Sequence, residues 1–64
     1  MFIGVTNAVT LQYILLNPIY IARVCPLPNA DYEVGSVIIF HDDSQLIVQE
    51  TQDQITDMIN LRYR

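Results

Sequence analysis

Positive charge is scarce in this 64-residue sequence: three arginines (Arg23, Arg62 and Arg64) stand against seven acids, for a net charge of −4. Nucleic-acid binding depends on clustered Lys and Arg facing phosphates, so nucleic acid is excluded as an expected partner. Cysteine occurs once, at Cys25, which excludes an internal disulfide. With a single histidine, His41, and no second cysteine, no ligand set of the usual Cys/His spacing can be assembled, and neither a metal nor another cofactor is expected. Only two glycines are present, too few and too isolated for a phosphate-cradling loop. Long apolar runs are missing as well. The first 22 residues carry no charged side chain, yet Asn7, Thr10, Gln12 and Asn17-Pro18 keep every apolar run there to four residues or fewer. A membrane span needs ~20 predominantly apolar residues, and a signal peptide needs a basic leading region. Neither is expected, and the lone cysteine points to the cytoplasm.

What is present is apolar. Hydrophobic residues make up 52% of the chain and charged residues 16%. One domain spanning residues 1–64 is the most this length supports, and a single core below ~70–80 residues rarely supplies more than ~3–5 kcal/mol. With no disulfide and no metal to reinforce that core, self-association is the expected remedy, a dimer first.

The apolar residues fall into short segments of strand character. Phe2, Ile3 and Val5, then Leu11, Tyr13, Ile14 and Leu15, read as two strands joined by a turn near Asn7. Asn17-Pro18 interrupts, because proline lacks a backbone donor and disfavours helix in the residue before it. Strand character resumes from Ile19 to Val24, with Ile19, Ile21 and Arg23 expected on one face and Tyr20, Ala22 and Val24 on the other. Apolar residues on both faces suggest a central or interface strand. CPLPNADYEVG, residues 25–35, is irregular, and Tyr32 is its one large aromatic and its natural anchor for a partner. Ser36–His41 and Gln45–Gln49 read as a strong pair of strands.

Between that pair lies His41-Asp42-Asp43, which could be a site or a turn. Metal binding needs three or four convergent ligands, and successive strand residues point to opposite faces. Acid–base chemistry needs a carboxylate in a cleft that shifts its pKa, and a hairpin tip is poorly placed for that. Asp and Ser favour turns because their side chains hydrogen-bond nearby amides. Asp42, Asp43 and Ser44 are therefore expected to form a turn. Cys25 with His41 as base would lack an oxyanion-stabilising helix. No catalytic residue is assigned, and the chain is not expected to be an enzyme.

The last segment is helical. Thr51-Gln52-Asp53-Gln54 matches a capping box, Asp53 suits the positive end of the helix dipole, and Arg62 and Arg64 suit the negative end. Ile55, Met58 and Ile59 form one apolar stripe, with Leu61 near its edge. The whole is an α+β fold: a small antiparallel sheet or open barrel of four to five strands with one C-terminal helix.

Over most of the chain this layout resembles the small flagellar FlbD/SwrD swarming-motility proteins. The likeness is carried by FIGVT, LLNPIYIARV, GSVIIFHDDSQLIVQET and ETQDQITDMI. Asn17, Pro18, Ile21, Val24, Val48, Glu50 and Ile55 fit the family outline, while Asp42-Asp43-Ser44 replaces its more usual Asn-Gly turn. The resemblance implies a non-enzymatic cytoplasmic accessory that works through protein contacts, and it supplies no catalytic residues. An accessory protein of a phage or mobile gene cassette would look alike. A small RNA regulator of the carbon-storage-regulator type has similar size, but the acidity argues against it. The candidate partner-binding residues are Tyr13, Tyr20, Ile21 and Tyr32, and the partner itself is an unidentified protein besides a second copy.

Overall fold

The computed structural model describes residues 2–27 and 35–62. Among these residues there are five strands, one short 3-10 turn and one helix: β1 (Ile3–Thr6), β2 (Tyr13–Leu16), the 3-10 turn Pro18–Tyr20, β3 (Ile21–Pro26), β4 (Ser36–Phe40), β5 (Gln45–Val48) and α1 (Gln52–Arg62). All pairing is antiparallel. β1 and β2 form a two-stranded sheet, and β3, β4 and β5 form a three-stranded one with β4 in the middle. This is the expected α+β architecture.

The two sheets meet edge to edge. An isolated bridge joins Asn7 to Val48. Beside it the Ala8 amide donates to the Ile47 carbonyl at 2.9 Å and the Gln49 amide to the Thr6 carbonyl at 2.9 Å. The end of β1 thus runs beside β5, and among the described residues β2 and β3 are the outer strands. In β1 the period of two turns Ile3 and Val5 inward, where they are buried with Ile38, Val48 and Ile55. Ile14, Leu16, Ile21, Val24, Phe40, Leu46, Met58 and Ile59 pack around that cluster. Burying one such aliphatic side chain contributes about 1.5–3 kcal/mol, so these few residues carry most of the fold's stabilisation.

The helix is held where its cap specifies. The Gln54 amide donates to Thr51 Oγ1 at 3.2 Å and the Thr51 amide to Gln54 Oε1 at 2.9 Å, the reciprocal pair of a capping box. Ile55 is driven into the core, with Met58 and Ile59 beside it, and α1 lies against β1 and β3. Leu61 is exposed at the stripe's edge. No described helix is long and apolar enough to cross a membrane.

Three segments depart from the sequence expectation. Cys25 and Pro26, expected to open the irregular segment, instead close β3 opposite Val37 and Ser36, because the ladder with β4 carries on through them. Ile19 and Tyr20 do not start a strand. The Asn17 side chain accepts from the Ile19 amide at 3.1 Å and Pro18 takes the first position of a 3-10 turn, so β3 begins only at Ile21. Within β3 the register slips between Ile21 and Arg23, leaving Ala22 without a partner on β4. This bulge reverses the alternation. Ile21 and Val24 consequently both pack against the core, while Ala22 and Arg23 are exposed. β3 is an outer strand, not a central one. Leu11, expected in the second strand, sits in the preceding loop with φ at +64°.

Candidate interaction surface

Four residues were candidates for partner contact. Tyr32 lies outside the described residues; the other three are placed by distinct local causes.

Tyr13 opens β2. Because Ile14 and Leu16 turn inward onto the core, Tyr13 and Leu15 must face outward, and they are 70% and 61% exposed. On the neighbouring strand the outward position opposite Leu15 is Gly4. The Tyr13 ring lies over this glycine, in the space a Cβ there would occupy. A bare strand position is thereby covered by an aromatic ring from its partner. Phe2, just before β1, is also exposed.

Tyr20 ends the 3-10 turn and is 64% exposed. Its carbonyl accepts from the His41 amide at 3.1 Å, which anchors the turn to the end of β4. Tyr20 lines an open cleft of about 340 Å³ with Phe40, His41, Asp42 and Ser44. Ile21 lines a different depression, of about 240 Å³, with Pro18, Ile19 and Ile59. Tyr13 lines neither of these two depressions.

The polar end of the larger cleft is built by the β4–β5 connection. The Asp43 amide donates to the Phe40 carbonyl and the Phe40 amide to the Ser44 carbonyl, each at 2.9 Å, and Asp43 takes φ +70°. This is a three-residue hairpin loop ending in a left-handed residue. Asp42 Oδ1 accepts from the Ser44 hydroxyl at 2.6 Å and from the Ser44 amide at 3.0 Å. The Ser44 hydroxyl, then the Ser44 amide, hold the Asp42 carboxyl below its ordinary pKa. A general base working near neutral pH needs the opposite shift. Asp42 is thus committed to the turn as an ionised acceptor. Among the described residues no three His, Cys, Asp or Glu side chains group so as to hold a metal ion.

The sequence reading missed two kinds of residue. Leu15, Phe2 and Ile19 are large, apolar and exposed, yet residue type alone does not distinguish them from core residues; only the alternation of β2, once its register is set, marks Leu15. Glu50 ties the β5–α1 junction to β1: its carboxylate accepts from both the amide and the hydroxyl of Thr6. Its own carbonyl accepts from the buried Ser36 hydroxyl at 2.6 Å.

Comparison with protein-family models, with curated proteins and with solved structures returns no match for this chain.

Proposed function

We propose that this chain is a non-catalytic protein–protein interaction module that self-associates through apolar surface it cannot cover itself. The observation that carries this is the outward face of the β1–β2 hairpin, where Phe2, Tyr13 and Leu15 stand exposed. Among the described residues, the helix α1 lies against β1 and β3 with Ile55 in the core, on the side opposite that outward face. Tyr13 and Leu15 share one face of β2, and large apolar residues exposed side by side mark interaction sites in soluble proteins. Tyr20, with its cleft, and the segment around Tyr32 are the candidate contacts for a second, different protein.

A cytoplasmic setting goes with this reading, since the only cysteine is a free, half-buried thiol. A flagellar or swarming-motility accessory role is the context we favour. It rests on the residues shared in outline with the FlbD/SwrD proteins, of which Val48 and Ile55 are core and Glu50 is the junction tie. Flagellar neighbours around the gene would support that context, and phage or cassette genes would replace it with an accessory role there.

Self-association is tested by sedimentation equilibrium at low micromolar concentration and high salt. Apolar contact is little weakened by salt, so the mass should exceed the monomer's 7.4 kDa. A folded monomer under those conditions overturns the reading.

A further inference from the structure

We infer that the free edge of β2 is the seam of a homodimer, in which a second copy of this chain lays its own Tyr13–Leu16 strand antiparallel alongside. The inference rests on the self-association proposed above and names the surface responsible.

The two outer strands are treated differently. β3 is blocked as a template: the bulge between Ile21 and Arg23 twists it, Pro26 removes a donor, and Arg23 puts a charge on the strand. The Gln52 side chain also donates to the Val24 carbonyl at 2.9 Å, occupying an acceptor on β3 that the β4 ladder leaves free. These are the means by which natural sheets stop strangers from adding a strand. β2 has none of them. Its pairing with β1 is regular from Tyr13 to Leu16, and no proline or charged residue lies within it.

The ladder also fixes which groups are on offer. The Asn7 amide donates to the Gln12 carbonyl at 2.9 Å, so bonded pairs alternate from there. Val5–Ile14 and Ile3–Leu16 are the bonded pairs of β1 and β2, which leaves the N–H and C=O of Tyr13 and Leu15 pointing to the open edge. A twofold axis beside Ile14 sets Tyr13 of each copy opposite Leu15 of the other, and both backbone groups of both residues are then satisfied. The outward Tyr13 and Leu15 side chains meet across the seam as a cross-strand apolar pair. Two marginal two-stranded hairpins become one four-stranded sheet.

Charge selects a second copy as the occupant. The first 22 residues carry no charged side chain, and all seven acids lie from Asp31 onward. A twofold contact built on the later half brings carboxylates of the two copies together; one built on β2 opposes none.

The test combines amide exchange with charge placement. In the wild-type dimer the Tyr13 and Leu15 amides should be protected, and the protection should fall on dilution. Tyr13→Lys with Leu15→Lys opposes like charges across the seam, and its dimer should be lost at low micromolar concentration. Tyr13→Lys with Leu15→Glu opposes unlike charges and should restore it. A wild-type dimer in which those two amides exchange freely, or a double-lysine variant that dimerises as tightly as wild type, overturns the β2 seam while leaving self-association standing. A wild-type monomer removes both. The exchange measurement needs no variant to fold.

Discussion

Glu50 reaches back 44 residues to clamp Thr6: the Thr6 amide donates to Oε1 at 2.7 Å and the Thr6 hydroxyl donates to Oε2 at 3.1 Å. The clamp closes beside the Asn7–Val48 bridge, where β1 meets β5. Hydrogen bonds to a charged acceptor in a half-buried position contribute about 1.5–3 kcal/mol, because the donors left behind lose both carboxylate and water. Glu50→Ala should therefore lower stability by about that amount. Glu50→Gln, which keeps one acceptor for the amide, should cost less. Urea midpoints compared at one protein concentration give the measurement, since an associating chain gains apparent stability with concentration.

The hairpin tip makes a prediction of opposite sign. Asp43 is held at φ +70°, a left-handed conformation in which a Cβ costs roughly 1–2 kcal/mol and glycine carries no such penalty. Glycine brings its own cost in unfolded-state entropy, so Asp43→Gly should stabilise by a net ~0.5–1 kcal/mol. Asp43→Val should destabilise by about 1–3 kcal/mol, since a β-branched residue tolerates this region worst. His41→Ala should be near neutral. His41 is exposed, and its contact with Tyr20 runs through the backbone amide, which alanine retains. Thermal midpoints would rank the three variants, and a drop for His41→Ala as large as that for Asp43→Val would give the imidazole a role it lacks here.

At the helix start, Thr51→Ala removes the acceptor for the Gln54 amide and should cost ~0.5–2 kcal/mol. Gln54→Ala loses only the return bond to the exposed end of the cap and should cost less. Equal urea slopes with a lowered midpoint are expected, and an unchanged midpoint for Thr51→Ala would mean that the cap does not hold the helix.

What could be read beforehand follows from how far apart the interacting residues lie. The Thr51–Gln54 box, the Asn17-Pro18 break and the Asp42–Ser44 turn are interactions over two or three residues, so their chemistry is spelled in neighbouring letters. The Ala22 bulge is different. Ile19 to Val24 alternates plausibly as a strand, and only the shape of β4 and the core decides that Ile21 and Val24 must share a side. Glu50 reads locally as one more acid before a helix; its partner is near the other end of the chain. For the candidate surface, segments apolar on both faces pointed to Tyr13, Tyr20 and Ile21, whereas Leu15 needed the register of β2 to show that it faces outward.

Asp42 ties the turn to pH. Its carboxyl is held below the ordinary range by the Ser44 hydroxyl first and the Ser44 amide second, and these bonds exist only in the folded chain. A group whose pKa falls on folding binds its proton more tightly in the unfolded state. Its contribution is therefore complete above the unfolded value, near 3.9 for Asp, and is lost as pH drops through the lower folded value. Ser44→Ala removes the largest cause, so the Asp42 titration midpoint should move back up. Carbon-detected NMR of the side-chain carboxyl would follow it directly. The stability difference between wild type and Ser44→Ala should be constant from neutral pH down to about pH 5 and shrink only in the acid range below that. A difference that instead changed between pH 6 and 8 would mean that the Ser44 bonds to Asp42 do not set the pH response.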